Sequence, residues 1–269
     1  MLTDITLGQY FPGKSLIHQL DPRAKIICVF LFIASIFIGE SYASYALMAG
    51  FVALVLALSS IPPAMIAKSL KPLWIIILLT VGIHVFTTPG RVVYEFGFLS
   101  VTEEGLRQGF LMSTRLVLLI VVSSLLTYTT SPIALTDAIE RLLKPFEKVG
   151  LPAHELAMMM TIALRFIPTL LEETDRIMKA QMARGADFAS GNILRRAQSM
   201  IPLLVPLFIS AFRRADELAI AMEARCYRGG ENRTRMKELQ HTGRDWAAYG
   251  FMLVFILILV YLKFTAGKL

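Results

Sequence analysis

Apolar residues along this chain gather into long runs separated by short polar breaks. Ile26 to Gly39 is the first run, and Glu40 and Ser41 interrupt it briefly. Tyr42 to Ile61 is the second, ended by Pro62-Pro63. Leu73 to Thr88 is the third, led in by Lys71-Pro72 and closed by Pro89-Gly90. A mixed stretch from Arg91 to Arg107 precedes the fourth run, Gln108 to Tyr128, and the fifth is Trp246 to Phe264. An uninterrupted apolar segment of roughly 20 residues crosses a bilayer as a helix. The pattern therefore predicts five membrane spans, with Trp246 and Tyr249 placed like interfacial aromatic anchors.

Between residues 131 and 245 the pattern changes from continuous to periodic. Ser131-Pro132 suits a helix start, because serine caps and proline fits the first helical position. Ile133, Ile139, Leu142, Leu143 and Phe146 follow at near-helical spacing until Gly150-Leu151-Pro152. A second helix is expected from about His154 to Arg184, with Leu156, Met160, Ala163, Ile167, Leu170, Ile177 and Met178 on one stripe. A third is expected from about Ile193 to Arg225, with Ile193, Ala197, Met200, Leu204, Phe208, Ala211, Leu218 and Met222 on one stripe and Gly229-Gly230 beyond it. Pro202 and Pro206 should bend it, since each removes a ladder hydrogen bond. Helices of ~30 residues reach ~45 Å. Their many charges argue against mid-bilayer burial, which costs roughly 2.5–3.5 kcal/mol or more per charge. They are expected to lie along or below the inner leaflet. The organisation expected is a membrane domain over 1–130, a cytoplasmic helical domain over 131–245, and a last span over 246–269.

Charge orients the spans. Net charge is +7 and mean hydropathy +0.61. Lys14, Arg23 and Lys25 precede the first span, and Lys68 and Lys71 lie between the second and third. The turn at Glu40 has no basic residue, and the 89–107 loop sets Arg91 and Arg107 against Glu95, Glu103 and Glu104. Lys and Arg favour the cytoplasmic side, so the N-terminus and residues 131–245 are expected inside. Lys263 and Lys268 then fall on the outer side, against the rule. The first 25 residues include Asp4, Lys14, Asp21, Arg23 and Lys25 and no apolar core of a cleavable signal.

The residues usually responsible for bond chemistry are scattered. His18, His84, His154 and His241 have no metal-site spacing. His84 lies in a membrane run, where a bond to a neighbouring carbonyl is the expected role and a transport role the alternative. Arg115 enters the fourth run and is expected to snorkel or pair with a glutamate. Asp216 and Glu217 stand beside Arg213 and Arg214, and local helix pairs are the plain expectation. Cys28 and Cys226 read as free thiols. No Gly-x-x-x-x-Gly-Lys-Ser/Thr loop is present, so the chain is not expected to bind ATP. No cofactor and no metal is expected. The basic balance sits among membrane spans, which points to the inner leaflet and acidic protein grooves and not to nucleic acid.

One constellation remains. The two long helices close alike, as Ala183-Arg184-Gly185 and Ala224-Arg225-Cys226. A helix C-terminus exposes carbonyls with partial negative charge and favours a cation there. Small neighbours leave a guanidinium protruding, and its fork of donors pairs with carboxylates in a partner's groove. The plain alternative is two arginines neutralising their own helix ends. The Met-rich composition of these helices (Met158, Met159, Met160, Met178, Met182, Met200, Met222) suits surfaces that repack against partners, or ordinary core filling.

Several segments together resemble the transmembrane T component (EcfT; CbiQ-like) of energy-coupling factor transporters. They are Ile162-Ala163-Leu164-Arg165-Phe166-Ile167-Pro168 running on to Ala183-Arg184-Gly185-Ala186-Asp187-Phe188, Phe212-Arg213-Arg214-Ala215-Asp216-Glu217-Leu218 leading into Ala224-Arg225-Cys226-Tyr227, and the opening Gly8-Gln9-Tyr10 through Ser15 with Leu20-Asp21-Pro22-Arg23-Ala24-Lys25. The resemblance covers nearly the whole chain. It implies an L-shaped, all-α membrane protein with about five transmembrane helices plus about three cytoplasmic amphipathic coupling helices, in a bacterial inner membrane. It implies that Ala183, Arg184, Gly185, Ala224, Arg225 and Cys226 dock two ABC ATPase subunits, and that Cys226 replaces the commoner glycine. It implies that a small membrane S component is held by the coupling helices, here through Leu156, Met160, Ala163, Ile167, Leu204, Phe208 and Ala211. Such a subunit relays energy for uptake of vitamins or other micronutrients and catalyses nothing itself. A T component dedicated to one cobalt, nickel or biotin importer is the alternative within the family. A stand-alone secondary transporter is the alternative outside it, although the inverted halves common in that class are not evident. A membrane enzyme would need a convergent His, Asp, Glu or Cys cluster.

Overall fold

The computed structural model describes residues 10–39, 41–96, 99–186, 188, 192–229 and 239–266. Asp4, Gly8, Gln9, Glu40, Asp187, Gly230 and Lys268, used above, lie outside them, as do the side chains of Glu95, Ile193 and Ala197. The chain divides into two compact units, Ile139–Glu238 and Gly8–Ala138 with Leu239–Leu269.

The second of these holds the apolar runs. Its elements are α1 (Pro22–Ile36), α2 (Tyr42–Ser59), α3 (Pro63–Leu70), a 3-10 turn at Lys71–Leu73, α4 (Trp74–Thr87), β1 (Val92–Phe96), β2 (Leu99–Thr102), α5 (Glu103–Thr129), the first part of α6 (Pro132–Leu143), and α9 (Gly243–Ala266). Local chemistry starts them. Asp21 accepts from the Arg23 backbone N–H at 2.8 Å with Pro22 in the first turn. Thr102 accepts from Gly105 at 3.0 Å, and Glu103 and Glu104 suit the positive end of α5. The mixed stretch becomes an antiparallel β1–β2 hairpin, a small addition to an otherwise helical chain.

Among the described residues, five helical stretches are long and apolar enough to cross a membrane: Tyr42–Ser59, Pro63–Thr87, Glu103–Thr129, Ala153–Ala183 and Gly243–Thr265. Three expected runs map directly onto these, and the third gains a short helix at its start. The first run does not reach the length. Its helix, α1, has 15 residues and spans only ~22 Å of a hydrocarbon core ~30 Å thick. Ala153–Ala183 qualifies instead, because its first half carries only Glu155 and Arg165 while Glu172, Glu173, Asp175, Arg176 and Lys179 crowd the second.

The core of this unit is apolar and aromatic. Phe32, Ile36, Met48, Met252 and Leu259 are fully buried. Phe32 stacks on Phe51 and Phe255 at 5.3 and 5.8 Å between centroids, and Phe51 meets Phe255 at 4.4 Å. α4 and α5 approach closely at Gly105 and Gly109, the small-xxx-small spacing that lets membrane helices touch backbone to backbone. A Cβ on Gly105 would stand 2.8 Å from the His84 carbonyl oxygen and 2.9 Å from that of Val85. Gly105→Val is therefore expected to force these helices apart and cost about 1–3 kcal/mol, read as a lower melting temperature in detergent. An unchanged melting temperature would contradict the close approach.

Polar residues meet at one end of the bundle. The Asp21 backbone N–H donates to Asp245 Oδ1 at 2.8 Å, joining the starts of α1 and α9. Lys25 Nζ donates to the Thr129 carbonyl at 2.9 Å and the His18 carbonyl at 3.2 Å, joining the start of α1 to the end of α5. The Phe11 N–H donates to the Tyr128 carbonyl, and the Tyr128 hydroxyl donates to the Met65 carbonyl of α3. The starts of α1 and α9 and the end of α5 thus lie at the same end of this unit.

Burial alone would raise the Asp21 carboxyl pKa. The Arg23 guanidinium at 2.7 Å, the Arg23 N–H and nearby positive charge outweigh it and hold the group below the ordinary carboxylate range. A depressed folded-state value stabilises above the unfolded value and loses that contribution as pH falls through the folded one. Asp21→Asn is accordingly expected to lower the melting temperature at pH 7 and to shrink the wild-type advantage as pH drops below 4. An equal difference at both pH values would exclude this origin.

The first unit is built on the rest of α6, a 3-10 segment Lys144–Val149, α7 (Ala153–Ala183) and α8 (Ile193–Ala224). Ser131 accepts from the Ala134 N–H at 3.3 Å, as expected of a cap, and Gly150 takes φ +92° where the first helical segment stops. Pro168 joins Pro202 and Pro206 inside these helices.

Candidate docking site: two arginine tips

α7 and α8 pack antiparallel. Glu173 accepts from Ser210 Oγ at 2.8 Å and from Arg214 Nη2 at 2.6 Å. Nearer the end of α7, Gln181 Nε2 reaches the Pro202 carbonyl at 3.5 Å. That carbonyl lacks its ladder partner because Pro206, four residues on, has no N–H. Arg214 therefore pairs across the two helices, and the local pairing expected with Asp216 and Glu217 is replaced by a tertiary one. The pair is partly open to solvent, so it fixes register more than it adds stability.

This packing decides where the arginines go. Arg184 closes α7 and Arg225 closes α8, and antiparallel helices of 31 and 32 residues end in opposite directions. The two tips stand most of a helix length apart, ~40 Å at 1.5 Å per residue. Both side chains are exposed. Neither has a hydrogen bond or ion pair among the described residues.

The two ends are the same turn. Arg184 has φ −89° and ψ 7°, Arg225 φ −92° and ψ 13°. The residue after each is left-handed, Gly185 at +88° and Cys226 at +56°. The Ala186 N–H returns to the Gln181 carbonyl at 3.0 Å, and the Tyr227 N–H to the Met222 carbonyl at 3.1 Å. These are Schellman closures. The residue following each arginine is thus selected by backbone conformation as well as size. Glycine adopts it freely, while a side chain there costs about 1–2 kcal/mol. A glycine directly after a long amphipathic helix carried that signal for the first tip, and the matching position identifies Cys226.

Ala183 and Ala224 are the last residues of their helices. Of the other expected contact residues, Leu156, Met160, Ala163, Leu204 and Phe208 are exposed, and Ile167 and Ala211 are half-buried. Ala153, Ala157 and Leu203 are buried instead. Leu156, Met160, Ala163, Met200, Leu204 and Phe208 of the expected stripes are therefore exposed, alongside Ile201, Val205, Ile209 and Phe212, while Leu170, Ile177, Met178, Leu218 and Met222 are half-buried.

Arg115 has no glutamate partner among the described residues; its Nε donates to the Tyr45 hydroxyl at 3.1 Å and its guanidinium lies 5.2 Å from the Phe37 ring centroid. His84 is half-buried, with no side-chain hydrogen bond among the described residues. Cys28 and Cys226 are free thiols. An apolar cavity of about 390 Å³ between α1, α2, α5 and α9 is lined, among the described residues, by apolar side chains with Lys25, Cys28, Thr129 and Arg244, whereas a solute site needs several convergent polar groups. No grouping of three His, Cys, Asp or Glu suited to a metal occurs among the described residues.

Comparison with known proteins shows the family. The CbiQ family profile, described as cobalt transport protein, matches residues 13–236. The energy-coupling factor transporter transmembrane protein EcfT of Acidaminococcus fermentans is 62% identical over 98% of this chain and 98% of its own. Its counterpart in Clostridium kluyveri is 53% identical over 100% of both chains, and that of Bacillus subtilis 49% identical over 98% of this chain and 100% of its own. A multi-pass helical membrane chain that shares its full length with these proteins belongs to the CbiQ family, among the transmembrane components of energy-coupling factor transporters.

Proposed function

We propose that this chain couples two ABC ATPase subunits to a small membrane S component, so that ATP-driven motion of the ATPases drives uptake of a vitamin or similar micronutrient. The observation that carries the reading is the pair of exposed arginines on identical helix ends at opposite extremes of one antiparallel pair. Two cations ~40 Å apart cannot enter one groove, so two partner subunits are engaged, one by Arg184 and one by Arg225. When the ATPases close on ATP and reopen on hydrolysis, the anchored tips move with them and α7 and α8 change their crossing angle. The outward apolar faces, with Leu156, Met160, Phe208 and neighbours, carry the S component, which reorients in the membrane.

The polar end of the membrane unit supports a cytoplasmic placement for residues 131–245 and the N-terminus. Arg23, Lys25, Lys68, Lys71 and Arg244 cluster with the starts of α1 and α9 and the end of α5, as the positive-inside tendency requires of the inner face. The family description favours a second reading, a T component dedicated to cobalt uptake. Affinity purification in mild detergent tests both. Two ABC ATPases and one small hydrophobic subunit are expected to accompany the chain, and the solute bound by that subunit separates a vitamin from a metal ion. Recovery of the chain alone, with transport by the chain alone in liposomes, would refute the coupling role.

A further inference from the structure

We infer that Glu140, His154 and Tyr227 form a positioning clamp for the second arginine tip, compensating for the side chain that Cys226 places in a left-handed turn. The inference rests on the docking role of Arg225 and adds residues to it. His154, in the first turn of α7, has Nδ1 3.0 Å from Glu140 Oε1 of α6 and Nε2 3.2 Å from the Tyr227 hydroxyl. A carboxylate only accepts, so Nδ1 carries the proton. Nε2 is then the atom that pairs with the Tyr227 hydroxyl. Glu140 thereby orients the imidazole, and the imidazole holds a phenol two residues beyond Arg225.

The difference between the two tips gives this chain its role. At the first, Gly185 takes φ +88° with nothing within 4 Å of the position a Cβ would occupy. That turn closes without help, and Ala186 has no side chain able to hydrogen-bond. At the second, Cys226 takes φ +56°, a conformation L-residues leave readily unless the surroundings hold them. Tyr227 supplies the Schellman hydrogen bond through its N–H. Its hydroxyl ties the same residue to α7 and, through His154, to α6. Holding Tyr227 fixes the peptide after Cys226, and that fixes the direction in which Arg225 leaves the helix.

The test uses the full chain in lipid nanodiscs and its co-purified ATPase pair. Affinity is measured in an Arg184→Ala background, so that the second tip alone reports. There Tyr227→Phe is expected to weaken association roughly 2- to 12-fold, the range for one hydrogen bond. Adding Cys226→Gly removes the strain and should restore affinity to within about twofold, since glycine adopts the turn unaided. His154→Asn should reproduce the Tyr227→Phe effect and be rescued the same way. In an Arg225→Ala background Tyr227→Phe should change nothing. Equal losses in both backgrounds, no loss in either, or no rescue by Cys226→Gly would overturn the clamp. If Arg225→Ala itself left affinity unchanged, the docking reading would fail first, and the clamp with it.

Discussion

Replacing Arg184 and Arg225 together by alanine is expected to abolish ATP-driven uptake, while each single replacement weakens ATPase association and leaves reduced uptake. Both guanidiniums are exposed at helix ends with no partner among the described residues, so their donors are available to another protein. Truncating a desolvated, paired arginine at an interface costs about 2–5 kcal/mol, partly because its partner charge is stranded. Sites ~40 Å apart with no shared neighbours should lose affinity additively. The two losses then sum to most of the binding free energy of a micromolar complex. Arginine-to-lysine variants should fall between wild type and alanine, since lysine keeps the charge and loses the planar fork. Uptake in proteoliposomes containing the ATPases and the S component is the measurement. Wild-type uptake by the double variant would remove the basis of the coupling mechanism.

Asp245→Ala should cause the largest loss of stability in the membrane unit. Asp245 is 1% exposed and accepts from the Asp21 N–H at 2.8 Å, the Thr242 N–H at 2.7 Å and the Thr242 hydroxyl at 2.9 Å. It thus reaches back to the Thr242 N–H as the acidic half of a capping box does at the start of α9, and ties that start to α1. Its removal leaves buried donors unsatisfied beside Arg23 and Lys25. Hydrogen bonds to a charged group contribute about 1.5–3 kcal/mol each, so a net loss of about 3 kcal/mol is expected. For a chain of this size that corresponds to a fall of roughly 6–12 °C in melting temperature. Asp245→Asn, which keeps one carbonyl acceptor, should lose less. Equal melting temperatures for wild type and Asp245→Ala, measured by scanning fluorimetry in detergent, would show that α1 and α9 are held by apolar packing alone.

The amino-acid sequence by itself determined the elements and the chemistry they carry. The runs at 42–61, 108–128 and 246–264 became α2, α5 and α9 because unbroken apolar stretches of that length are satisfied only as helices in a bilayer. The periodic stretches at 154–184 and 193–225 became α7 and α8 almost residue for residue, because Pro152 and Gly185 stop the first and the turn at Cys226 stops the second. The matching ends at Arg184 and Arg225 were legible for the same reason: helix termination is local and leaves a local signature.

Tertiary structure decided everything that depends on which elements lie side by side. Periodicity shows that a helix has an apolar stripe but not what covers it, so Leu156, Met160, Leu204 and Phe208 emerged exposed while Ala153, Ala157 and Leu203 became buried. Arg214 chose Glu173 over its sequence neighbours, and Arg115 meets Tyr45 and Phe37. These partners lie dozens of residues away, and only packing brings them within reach. The same holds for the separation of the two tips, which follows from the antiparallel sense of α7 and α8. It holds too for the meeting of Glu140, His154 and Tyr227, since a hydrogen bond requires atoms about 3 Å apart and sequence spacing encodes that distance only within a turn or two of one helix.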